Sequence, residues 1–214
     1  MSSVVLTRDP PRCDRVPPTI ECLLVRHESL PRGSRGERIP PGGRHLLTQA
    51  ARLLTGRCDV PTRDDHKRWR WDDGLNGSLS HCGAWSLTAL CAQGPVGVDV
   101  QDHRNRPGAL AWLGELVHEP DGAPASILQF AESEAIIKAT RLTKETFSQV
   151  RLPRWRPGWR RLDDSTWLWS SDCSGMGAIA VAAVRPATIR WWVSRSSHGE
   201  RLAPPVRIRI QPKG

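Results

Sequence analysis

Three features of the sequence predict an α+β fold. Val96, Val98 and Val100 recur at period two among Gly97, Asp99 and Gln101, the alternation of a strand. Two segments carry apolar residues at helical spacing, Arg44 to Leu54 and the stretch opened by Ser126-Ile-Leu-Gln129. Trp85 to Cys91 and Gly177 to Val184 each follow a small-residue turn and resemble one another, which suggests two similar halves meeting near Gly94 to Val98.

Taken in order, residues 1–18 form a Pro/Arg-rich tail without the apolar stretch of a signal peptide. Ile20 to Arg26 reads as a short apolar strand and Ser29 to Gly43 as a Gly/Pro/Arg-rich loop. The first helix places Leu46, Leu47, Ala50, Ala51, Leu53 and Leu54 at helical spacing, with Gly56 as its stop. Cys58 to Asp73 is polar and charged, a loop or an edge. Trp85 to Cys91 alternates as a half-buried strand does, and Gly94-Pro95 turns the chain. In the next strand the valines face one way, so Asp99 and Gln101 share the other face a few ångströms apart.

Leu110 to Val117 reads as a short helix, followed by a turn from His118 to Gly122. Ser126 and Gln129 have the spacing of a capping box, and the helix they open runs to about Arg141. On it Ile127, Phe130, Glu134 and Ile137 fall on one stripe, where a carboxylate requires a cation or a metal; Lys138 follows Glu134 at i, i+4. Arg151 to Asp164 is a basic connection containing Trp155 and Trp159. Strands are expected at Thr166 to Ser170, Gly177 to Val184, Ile189 to Val193 and Val206 to Ile210, the last with Arg207 and Arg209 on one face. The halves are expected at residues 19–96 and 97–186, with residues 187–214 as a C-terminal extension.

A chain of 214 residues can bury a substantial core, and its ten Trp exclude a largely disordered polymer. With 31 Lys+Arg against 22 Asp+Glu the formal charge is +9, which points to an anionic partner. No run of five basic residues exists, so a nucleic-acid partner is not the favoured reading. No apolar run reaches the roughly 18 residues of a spanning helix, so the expectation is a cytoplasmic protein without a membrane partner. The six cysteines show no C-x-x-C and no framework spacing, and read as reduced, mostly buried thiols.

Three blocks resemble, in order and separation, the surfactin-type 4'-phosphopantetheinyl transferases: Gly77-Ser-Leu-Ser-His81, Gly97-Val-Asp-Val-Gln101 and Phe130-Ala-Glu-Ser-Glu-Ala-Ile-Ile-Lys138. The resemblance covers roughly Arg44 to Val184. It implies a pseudo-dimeric α+β fold, monomeric, with coenzyme A held between two similar halves. It also implies magnesium-dependent transfer of the phosphopantetheine arm to a serine of an acyl or peptidyl carrier protein, with release of 3',5'-ADP. Asp99, Gln101 and Glu134 would hold the metal, Glu134 or a water it orients would act as base, and Lys138 would contact the phosphates. Ser80 and His81 would touch the nucleotide end, and Arg38 and Arg44 the 3'-phosphate. An acidic carrier would dock near Arg141 to Arg161.

Two positions depart from the family pattern. Gln101 stands where a Glu is usual, which removes one negative charge, and Ser133 stands where a Lys is usual, which removes one cation. Trp69 to Gly74 replaces the family's G-[KR]-P segment. These departures motivate a second reading, a transferase-like protein that binds coenzyme A or a carrier without turnover.

Overall fold

The computed structural model describes residues 17–28, 42–117, 123–143, 145–149, 151–173, 175–197 and 201–211. The 118–122 turn, the 29–41 part of the expected loop and Arg38 within it, and the 1–16 part of the expected tail lie outside the described residues.

The first sheet is built from β1 (Thr19–His27), β2 (Thr62–Arg63), β3 (Trp69–Arg70), β4 (Asn76–Cys82), β5 (Trp85–Cys91), β10 (Thr188–Ser197), β11 (Arg201–Leu202) and β12 (Val206–Ile208). Its order is β11-β10-β1-β5-β4-β3-β2, with β12 also paired to β10. The second sheet is built from β6 (Val96–Gln101), β7 (Arg160–Arg161), β8 (Trp167–Cys173) and β9 (Gly177–Ala183), in the order β6-β9-β8-β7. Three α-helices complete the architecture: α1 (Gly43–Thr55), α2 (Pro107–Leu116) and α3 (Ile127–Ala139). Mixed α+β, as the alternation and the capping signals predict, is what forms.

Side-chain alternation sorts the core into layers. Ile20, Cys22 and Leu24 of β1, the three valines of β6, and Ile179 and Val181 of β9 meet between the two sheets. Leu23 and Val25, one residue out of phase, turn instead to Leu46, Leu47 and Ala50 of α1. Ala178, Ala180 and Ala182 of β9 turn to Ala131, Ala135 and Ile136 of α3. Strands buried on both faces read as continuous apolar runs, and burying a Leu-sized side chain contributes about 1.5–3 kcal/mol before entropy is counted.

Each sheet contains the same sequence of parts. A strand, a helix and an antiparallel strand pair follow one another, with the last strand in the middle: β1, α1, β4, β5 in the order β1-β5-β4, and β6, α3, β8, β9 in the order β6-β9-β8. The segment from residue 187 is not an appendage to these parts. Its β10 runs parallel to β1 over nine register pairs, Thr19↔Thr188 to His27↔Ser196, and so completes the first sheet. Apolar residues at 189, 191 and 193 predict a short strand; the backbone ladder with β1, a long-range partner, extends it to Ser196, and pairing with β11 adds Ser197.

The helices end where local chemistry requires. Gly56 caps α1 at φ 76°, its N–H bonded to Arg52 O, a left-handed conformation that glycine adopts without strain. Both bonds of the capping box form: Gln129 N–H donates to Ser126 Oγ at 3.1 Å and Ser126 N–H to Gln129 Oε1 at 2.7 Å. The buried face of α3 differs from the expected stripe. Ala131, Glu132, Ser133, Ala135, Ile136 and Ala139 are buried, while Ile127, Phe130, Glu134 and Ile137 are partly exposed. Close approach decides this: a Cβ on Gly97 of β6 would lie 1.9 Å from Ala135 O, so only the small-residue face of the helix fits against that strand. Among the described residues no helix is long and apolar enough to cross a membrane. Of the described cysteines, Cys22, Cys82 and Cys91 are buried, Cys173 is half-buried and Cys58 is exposed; all five are free.

Candidate functional site

The two sheets are stitched where β4 passes β6. Alternate residues of β4 face it: Ser78 Oγ accepts from Val98 N–H at 3.0 Å, Ser80 Oγ donates to Asp99 Oδ1 at 2.6 Å, and Cys82 Sγ accepts from Asp102 N–H at 3.2 Å. The Ser-x-Ser-x-Cys pattern is thus a row of small polar groups at period two, each matched to a group of β6 or the residue after it.

Asp99 is only 2% exposed and sits at the centre of this seam. Lys138 of α3 reaches it with Nζ 2.6 Å from Oδ1, and the same ammonium donates to Val98 O at 3.1 Å. Gln101 donates from Nε2 to Asp99 Oδ2 at 2.6 Å. Its amide oxygen turns the other way and accepts from Arg106 Nη1 at 2.8 Å, while Arg106 Nη2 lies 3.3 Å from Asp102 Oδ1. Donor logic fixes this amide orientation, because a carboxylate only accepts and a guanidinium only donates. The structure therefore brings together Ser80, Asp99, Gln101 and Lys138, all expected at the site, and adds Arg106, which sits in a connection without periodic signal.

Glu134 lies on the same stripe of α3, between Phe130 and Lys138 at i, i+4 and i+8. Phe130 has the Arg106 guanidinium 5.7 Å from its ring centre and Lys138 contacts Asp99, while Glu134 between them lines a small pocket with Trp112, Leu113, Phe130 and Phe147. The carboxylate that is fully buried on α3 is instead Glu132, at 2% exposure. Arg160, 1% exposed, donates to its Oε1 at 2.6 Å, as does Ser170 Oγ at 2.6 Å. Burial outweighs these partners and raises the Glu132 carboxyl above its usual range. This pair was not legible in the sequence, since Glu132 and Arg160 come from distant segments with no local pattern.

His81 is held differently from the expected phosphate contact. Its Nδ1 lies 2.6 Å from Ser86 Oγ, and His27 Nε2 lies 2.6 Å from the same oxygen. Burial, with His27 and Lys138 nearby, lowers its pKa to about 4, so at neutral pH it is an uncharged imidazole. Ser133 donates to Gln129 O at 2.8 Å within the helix. Arg44 is exposed at the start of α1.

Carboxylate oxygens are the donors a hard divalent ion prefers, and Asp99 and Glu134 are the two carboxylates that the resemblance assigns to it. Gln101 as oriented contributes no oxygen to such a set, because Arg106 takes it. Among the described residues no three His, Cys, Asp or Glu side chains converge.

Beside the seam a cleft of about 600 Å³ opens between the β2, β3 and β4 part of the first sheet and the C-terminal end of α3. Arg63, Lys67, Arg68 and Trp69 line it from the β2–β3 hairpin, and Lys138 and Arg141 from α3 and the residues after it; Asp65 and Glu145 are the carboxylates on its lining. The hairpin loop is preformed: Asp64 accepts from the N–H groups of His66 and Arg68 and from Arg68 Nε at 2.9, 3.0 and 2.9 Å, and Lys67 has φ 60°. Arg63 stacks on Trp69 at 4.3 Å from the ring centre. The strand pair that carries these residues fell in the segment read as a loop or an edge. The sequence matches no protein-family model and no curated protein.

Proposed function

We propose that the chain is a 4'-phosphopantetheinyl transferase that binds coenzyme A in this cleft and serves an acidic carrier protein. The observation that carries the reading is the cleft itself, whose wall carries Arg63, Lys67 and Arg141 beside Arg68, which is paired with Asp64, and Lys138, which is paired with Asp99. The ordered motif blocks support it, and so does the repeated strand, helix, strand-pair topology, which is what a pseudo-dimer of two halves requires.

In the reaction the carrier serine oxygen bonds to the phosphorus bearing the pantetheine arm. The bond from that phosphorus to the bridging oxygen breaks, and 3',5'-ADP leaves with the electron pair. Glu134, half-buried one helical turn before Lys138, is the residue assigned to receive the serine proton. Lys138 and Arg141, both on the cleft wall, offset phosphate charge from fixed positions. A divalent ion, when bound at Asp99 and Glu134, supplies further neutralisation of the diphosphate.

Incubation of the protein with coenzyme A, magnesium and a set of apo carrier proteins tests the proposal by mass spectrometry. A mass gain of one phosphopantetheine arm is expected, abolished in Asp99→Ala and Glu134→Ala. Full transfer by Glu134→Ala removes the assigned base. Tight binding of coenzyme A without transfer to any carrier favours the binding-only reading, for which the Gln101 amide clamped between Asp99 and Arg106 is the specific support.

A further inference from the structure

Away from the cleft a second groove of about 720 Å³ runs along the open edge of the inter-sheet core. The two share no lining residue. Trp169 and Trp191 form its inner wall, ring centres 5.3 Å apart, beside the half-buried Trp159, whose Nε1–H is taken by Ala187 O at 2.8 Å. Arg190, Arg207 and Arg209 line the same groove, and among the described residues no Asp or Glu does. Arg190 answers Glu21 at 3.0 Å; Arg207 and Arg209 are exposed and have no ion-pair partner among the described residues.

The segment that carries those two arginines is fixed in place. Its β12 pairs with β10 from Trp191↔Ile208 to Val193↔Val206, and Ser171 Oγ donates to Gln211 O at 3.2 Å, so the segment bridges from the first sheet to the second. A concave, apolar-walled groove focuses the field of uncompensated cations far more than a convex surface does. The occupant it fits is anionic and carries apolar groups. Carboxylates match the fork of a guanidinium, and the part-exposed Ile189, Ile208 and Ile210 on the lining take aliphatic side chains. Trp169 and Trp191 are only 6% and 4% exposed, so neither offers the open ring face on which a nucleic-acid base stacks.

We propose that this groove docks an acidic polypeptide segment, carboxylates on Arg207 and Arg209 and aliphatic side chains against Ile189, Ile208 and Ile210. The site is independent of the transferase reading. Titration of the whole protein with a short synthetic peptide of alternating Glu and Leu, followed by tryptophan fluorescence and calorimetry, is expected to show saturable binding that weakens as salt rises. The R207E/R209E variant should bind at least about tenfold more weakly. The milder R207Q/R209Q variant should lose affinity in the same direction with an unchanged unfolding midpoint. Reversal of an exposed arginine elsewhere, R52E, should leave binding intact. No saturable binding, equal binding by both groove variants, or tighter binding of an oligothymidylate than of the peptide overturns the proposal.

Discussion

Substitution of Gly97 by alanine should displace α3 from β6 and take the seam apart. The new methyl would sit 1.9 Å from Ala135 O and 2.6 Å from Ala139 N, both backbone atoms, so no rotamer change relieves the clash. A carbon in contact with a carbonyl oxygen rests at about 3.3 Å, so helix and strand must separate by about 1.4 Å. Lys138 spans that same gap to Asp99 at 2.6 Å, and a rigid retreat carries the ammonium out of hydrogen-bond range. Overpacking of this kind costs about 1–3 kcal/mol, and the backbone contact places it near the upper end. In a chain of this size the unfolding midpoint should fall by about 6–12 °C. Thermal unfolding followed by circular dichroism measures it, with Gly77→Ala as the comparison. There the nearest atoms are side-chain carbons of Trp71 at 3.1 Å and Leu47 at 3.2 Å, which yield by small rotations, so a drop of a few degrees at most is expected. A Gly97→Ala midpoint as close to the parent as that of Gly77→Ala would refute the packing argument.

Arg160→Met should destabilise by about 3–5 kcal/mol in urea unfolding, because it leaves the Glu132 carboxylate buried without its cation, whereas Glu132→Gln paired with Arg160→Met should recover much of the loss. His81 is held near pKa 4 against 6.5 in the unfolded chain, so the unfolded state binds more protons between those values. The stability it contributes is complete above pH 6.5 and is lost as pH falls towards about 4, on the order of 3 kcal/mol in all. His81→Gln should flatten that part of the profile, and an unchanged slope would count against it. Gln101→Glu would set a second carboxylate 2.6 Å from Asp99, so its midpoint should fall below the parent in metal-free buffer and rise on addition of magnesium by more than the parent's does. Equal responses of the two proteins would show that position 101 is not near the ion.

Local chemistry was legible along the chain. The capping box at Ser126, the glycine stop at 56 and the period-two valines each describe interactions within a few residues, and each formed. The pairing of Asp99 with Gln101 also followed, since alternation alone places them on one face. The stripe on α3 misled because apolar periodicity marks where large side chains lie, while contact with Gly97 selects small ones.

By itself the sequence determined the three α-helices, the apolar strands β1, β5, β6, β8 and β9, the caps and the polar face of β6, all of which rest on short-range sterics and hydrogen bonding, whereas β2, β3, β4 and β7 carry no such local signal. Only the tertiary structure decided that β10 completes the first sheet against β1, that Arg160 crosses to Glu132, and that the Gln101 oxygen turns to Arg106. Those outcomes join residues far apart in the chain, and which partner a buried charge or a strand edge finds is set by the packed whole. The same holds for the two cationic grooves, because a surplus of nine positive charges has no location until the fold places it.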